Sequence, residues 1–208
     1  MSPLGAKASR AFTLVELLVG ASLSAAIMAA VLSSYIYLGR SLTRLGNQQS
    51  LETEARRTLA YFTQDVQTAS GLTDTANLGA TRVSLTIPAS AGTNTVTYYY
   101  NNTSTDAPVT ISGTSVNMTA NALTRCVYNG TAVTSQLLLR NITGSGLALK
   151  YYDGSGQEYA SYTNYLLGIK QLALQFSTQT GAAGNGTQTP VYQVSSSRLI
   201  MRNKALLQ

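Results

Sequence analysis

From Leu17 to Leu38 the chain carries no charged residue. This run of 22 residues (38 − 17 + 1) contains no proline, and only Gly20 interrupts good helix formers. As a helix it would be about 33 Å long, enough to cross a bilayer core of about 30 Å. A helix buried in a soluble protein is seldom apolar on every side over such a length. Glu16 stands at its start, and the next charge is Arg40. A carboxylate at a membrane edge costs up to about a few kcal/mol, so it calls for a partner.

Three readings of this segment stand side by side. A secretory signal peptide would use Lys7 and Arg10 as its basic region and be cut near Ala21 to Ala26. It leaves Glu16 inside the apolar region, and the run continues past any such cut. A single-pass anchor accounts for the length but not the acid. The charges also orient it weakly, with Lys7 and Arg10 on one side and Arg40 and Arg44 on the other. A capping box, with Thr13 as N-cap and Glu16 at the third helical position, explains the acid locally. It does not explain why such a box should enter a membrane.

The remaining composition restricts chemistry. Charged residues make up only 11% of the chain, against about 25% in an average soluble protein. There is no histidine, and Cys126 is the single thiol. His-based catalysis, most metal sites and an internal disulfide are therefore excluded. Cys126 is expected to be a small buried hydrophobe. No enzyme activity, cofactor or metal is expected. The turn Asp153-Gly154-Ser155-Gly156 offers one carboxylate, too little for a calcium site. The net charge of +6 is scattered. Nucleic acid is not an expected partner, because the basic group Arg198, Arg202 and Lys204 reads first as a solvated strand edge.

After Arg40 the pattern becomes amphipathic. Leu51, Ala55, Leu59, Phe62, Val66 and Ala69 recur at helical spacing, while Glu52, Glu54, Arg56, Arg57 and Asp65 are assigned to other faces. One helix is expected from about Phe12 to about Ser70. Beyond Gly71 the period changes to two, in Val83-Leu85-Ile87, Val96-Tyr98-Tyr100 and Leu172-Leu174-Phe176. Asn129-Gly130 should turn a hairpin between Leu123 to Tyr128 and Val133 to Ile142. A further strand covers Leu147 to Tyr152, a flexible loop Gly181 to Pro190, and a last strand Val191 to Met201. The tyrosines should pack in and beside the strands, with hydroxyls at the rim. A helix followed by successive antiparallel strands is an α+β fold.

The stretch "AFTLVELLVGASLSAA" resembles the class III signal of type IV pilins and type II secretion pseudopilins. That pattern is a basic leader, a small residue, Phe, a hydroxyl residue, Leu, one variable residue, Glu, and a long apolar helix. The resemblance implies a leader over 1–11, cleavage by prepilin peptidase between Ala11 and Phe12, and N-methylation of Phe12. The mature chain would have 208 − 11 = 197 residues. The family usually has glycine where this chain has Ala11; a small residue is retained. Glu16 would be the assembly residue, pairing with a subunit's new N-terminus.

The resemblance also implies a pilin-like α+β fold. A transmembrane and assembly helix would cover 12–39, its amphipathic continuation 40–70, and a β-rich head packed on the helix 71–208. The size and the stretches "NTVTYYYN" and "LALKYYDGSG" are most similar to PilW-like minor pilins and J-type pseudopilins. Such a subunit is held in the inner membrane by a single pass with its head in the periplasm, and is then built into a filament, often priming assembly at the tip. The implied partners are other pilin or pseudopilin subunits, prepilin peptidase, the inner-membrane assembly platform, and membrane lipid before assembly. A type IV pilus, a type II secretion system and a DNA-binding competence filament all remain open.

Overall fold

The computed structural model describes residues 12–73, 78–90, 92–159, 168–179 and 191–204. The proposed leader and the loop 181–190 lie outside them. The chain divides into two compact units, Met1–Gly46 and Asn47–Gln208.

A single helix, α1, runs Leu14–Thr68, close to the bounds expected from the pattern. In the second unit its buried residues are Leu51, Ala55, Thr58, Phe62, Asp65 and Val66. Steps of three and four place these on one stripe. Asp65 corrects the expectation that every charge lies on another face: it is only 5% exposed. It follows Phe62 by three residues and so shares the stripe.

Eleven strands follow among the described residues: β1 (Gly71–Thr73), β2 (Arg82–Ala89), β3 (Gly92–Asn101), β4 (Ala107–Ile111), β5 (Thr114–Met118), β6 (Ala122–Tyr128), β7 (Val133–Leu139), β8 (Ile142–Tyr152), β9 (Gln171–Gln179), β10 (Val191–Ser195) and β11 (Leu199–Ile200). All the pairings between them are antiparallel. The fold is thus α+β, one long helix with antiparallel sheets, and the strands of the described residues divide among three sheets. One has order β1-β2-β3-β6-β7, a second joins β8, β9, β10 and β11, and β4 and β5 form a hairpin.

Local chemistry explains the departures. The hairpin β4–β5 turns at Ser112-Gly113, where both residues have positive φ (48° and 83°), the requirement of a type I′ turn. The expected run Val133 to Ile142 is broken by Asn141 at φ 51°, so Ile142 opens β8 in another sheet. The expected last strand is split at Ser196. Its amide and hydroxyl take the Leu174 carbonyl and amide, each at 2.8 Å. Asn129 does cap its loop as a turn residue, its Oδ1 accepting from the amides of Thr131 and Ala132 at 3.1 and 2.9 Å.

The main core joins three layers. Phe62 and Val66 come from α1, Val83, Leu85, Val96, Tyr98 and Leu123 from the five-stranded sheet, and Leu149, Tyr151, Leu172 and Phe176 from the second sheet. Period-two alternation supplies the inward faces. A smaller cluster of Ile111, Met118 and Cys126 lies between the β4–β5 hairpin and the sheet. Cys126 is fully buried, and burial pushes its thiol up to about 11, making it a packing residue at neutral pH.

Candidate functional site

Two features of the structure carry chemistry. The first is the N-terminal unit. Every large apolar side chain from Phe12 to Leu45 is exposed, from Phe12 at 78% to Leu45 at 53%. None of the apolar window in this helix is covered by the protein itself. By length and composition the helix can cross a membrane. Burying even half of these side chains would contribute several times about 1.5 kcal/mol, so a cover of lipid or of other helices is strongly favoured over water.

The start of this helix is a closed capping box. The Thr13 amide donates to Glu16 Oε2 at 2.9 Å, and the Thr13 hydroxyl donates to the same oxygen at 3.0 Å. In return the Glu16 amide donates to Thr13 Oγ1 at 3.3 Å. The box satisfies amides that lack helical acceptors. Glu16 Oε1 accepts nothing from the described residues, so the carboxylate keeps an open side. Phe12 is exposed beside the box, while Ala11 lies outside the described residues.

The second feature is a polar clamp inside the globular unit. Arg125, on β6, grips Asp65 with two parallel hydrogen bonds: Nε to Oδ2 at 2.7 Å and Nη2 to Oδ1 at 2.9 Å. The Tyr98 hydroxyl donates to Asp65 Oδ2 at 2.6 Å. The Arg125 guanidinium stands 5.3 Å from the Tyr61 ring centre, and Phe62 meets Tyr98 edge-on at 5.2 Å. Burial pushes the Tyr98 phenol well above its ordinary value, and the Asp65 carboxylate pushes it further. The Tyr98 hydroxyl therefore lies inside the core, not at the rim. The clamp fixes helix to sheet through fork-to-fork geometry. Sequence reasoning missed it, although both charges sit at inward register positions of their elements.

The basic C-terminal group does not form one patch. Lys204 is buried, and its ammonium donates to the Ile169 carbonyl at 2.6 Å. The Arg198 guanidinium lies 4.4 Å from the Tyr152 ring centre and donates to the Gly156 carbonyl at 3.1 Å. Arg202 is exposed. Asp153 is also engaged: its Oδ1 accepts from the Ser155 hydroxyl at 2.7 Å and the Gln157 amide at 2.8 Å, and these bonds, the hydroxyl's first, lower its pKa.

Burial, and after it the nearby Lys170 charge, lower the Lys204 pKa from 10.5 to about 8. Below pH 8 both folded and unfolded chains carry the proton and the cost of burying charge is fully present. From pH 8 to 10.5 the unfolded chain binds more protons, so Lys204 destabilises the fold progressively less. The unfolding free energy of the wild type, relative to Lys204→Met, should therefore rise across that window. Urea titrations at several pH values measure it, and a flat or falling difference would show that the charge is not buried.

No protein-family model, curated protein or solved structure matches the chain.

Proposed function

We propose that this chain is a minor pilin-like structural subunit, inserted in the inner membrane and then assembled into a filament, where it primes assembly at the tip. The observation that carries this reading is the helix α1. Its first part presents uncovered apolar side chains on all sides, and its later turns pack into a sheet core. A helix of this kind can exchange lipid for neighbouring helices with little change in apolar burial.

The class III resemblance supplies the direction of events. Cleavage after Ala11 would create a cationic amine at Phe12, about one helical turn from a Glu16 whose Oε1 is open. That amine, from the same chain or a neighbour, is the partner that a carboxylate at the membrane edge calls for. Within the globular unit Asp65 pairs with Arg125, Asp153 with Ser155, and Arg198 with the Tyr152 ring, contacts that support a structural role for these groups. A J-type pseudopilin in a type II secretion system would use the same features. Neighbouring genes separate the two, a retraction ATPase favouring the pilus and a secretin with secretion partners the alternative.

Fractionation tests the subunit role. The protein should appear in sheared filaments from cells with prepilin peptidase. Without the peptidase it should stay wholly in the membrane fraction. An unchanged distribution between the two strains would contradict the proposal.

A further inference from the structure

We propose that Tyr37, Arg40 and Arg44 form a docking stripe for the phosphate of an anionic phospholipid, at the membrane surface where the apolar span ends. This rests on the membrane-spanning reading above.

The three positions fall within about 60° of one another around a helix turning about 100° per residue. All three side chains are exposed, Tyr37 at 76%. Depth places them at the headgroups. About 20 residues cross the hydrocarbon core, so a span entered at Leu17 leaves it near Ile36. The headgroup layer then covers about the next four residues. Tyr37 falls at the boundary, where aromatic rings with a polar tip are enriched. Arg40 falls at phosphate depth. Side chains on a helix tilt toward its N-terminus, here toward the bilayer, so Arg44 reaches back about one turn to the same level.

Charge points to the same occupant. Arg40 and Arg44 are like charges four residues apart, an arrangement that weakens a helix by itself. Between Glu16 and Glu52 the sequence contains no acid that could offset them. Among the described residues neither arginine makes an ion pair or hydrogen bond. A phosphodiester between the two guanidiniums removes the repulsion and accepts their paired N–H groups. It would also fix the depth at which the span rests, leaving Glu16 at the opposite surface.

The test compares the full-length protein with the double variant Arg40→Gln/Arg44→Gln. Both are reconstituted in vesicles of phosphatidylcholine and phosphatidylglycerol in equal amounts. Flotation reads membrane insertion. Native mass spectrometry of the gently extracted protein reads which lipid remains bound. Both proteins should float. The wild type's preference for phosphatidylglycerol over phosphatidylcholine should exceed the variant's by about 25-fold, roughly fivefold for each arginine at an anionic surface. Lys7 and Arg10, at the other surface, contribute equally to both proteins. A floating wild type whose preference equals the variant's overturns the stripe alone. So does an adduct that is a second copy of the chain in place of lipid. A wild type that does not float removes the membrane reading, and the stripe with it.

Discussion

Asp65→Ala should destabilise the globular unit by about 3–5 kcal/mol, because it leaves the Arg125 charge buried without its counter-charge. The Arg125 side chain is only 18% exposed and Asp65 7%, so water cannot replace the lost carboxylate well. The Tyr98 hydroxyl loses its acceptor in the same step, adding an unsatisfied buried donor. Urea unfolding of the detergent-solubilised full chain, followed by tyrosine circular dichroism, measures the change. The triple variant Asp65→Leu/Arg125→Met/Tyr98→Phe should recover most of the loss, since replacing both charges with apolar groups removes the desolvation cost as well as the attraction, and removing the hydroxyl leaves no buried donor unsatisfied. A loss below about 1 kcal/mol in Asp65→Ala would place the pair in the class of solvated surface bridges and remove the clamp from the account.

Glu16→Ala should be processed and inserted in the membrane yet lowered at least about tenfold in sheared filaments. A subunit leaving lipid must bring its carboxylate into a helical bundle, and an amine there would be left unpaired by the alanine at a cost of about a few kcal/mol. Glu16 has a second function in the structure, closing the capping box with Thr13. Glu16→Gln separates the two. Glutamine keeps an oxygen for the Thr13 amide, as glutamine does in capping boxes, and removes only the charge. It should fail in filaments like alanine. Normal incorporation of the glutamine variant would assign Glu16 to helix capping alone.

The sequence made the helix and its covering problem legible because both rest on long, redundant patterns. The uncharged run and the stripe from Leu51 to Val66 each repeat a signal over many residues, and α1 follows both. Strands β2, β3 and β9 were legible for the same reason, through alternation, and β6 through the Asn129-Gly130 turn that follows it. The hairpin β4–β5 was not, because each strand offers only a short apolar alternation, Val109-Ile111 in one and Val116-Met118 in the other, and its turn Ser112-Gly113 is a weaker signal than Asn-Gly. The division into three sheets was hidden because it depends on single residues such as Asn141, and the split of the last strand was hidden because it depends on Ser196, whose effect appears only with its partner Leu174. The clamp shows the same limit. Asp65 and Arg125 each look misplaced in their own pattern, and only the pairing of β6 beside β3, which sets Arg125 opposite Tyr98, gives them a reason. At the N-terminus, the capping box was readable from Thr13 and Glu16 and is formed as read. The open Oε1 was not readable, since it depends on the rotamer of one side chain.

The central claim is that the chain is processed as a class III signal directs. Mass spectrometry of the N-terminus, on protein isolated from cells with intact prepilin peptidase, tests it most directly. The account predicts a chain beginning at N-methyl-Phe12. A chain beginning at Met1, or cut near Ala26, would contradict it and reduce the apolar helix to an anchor or a signal peptide.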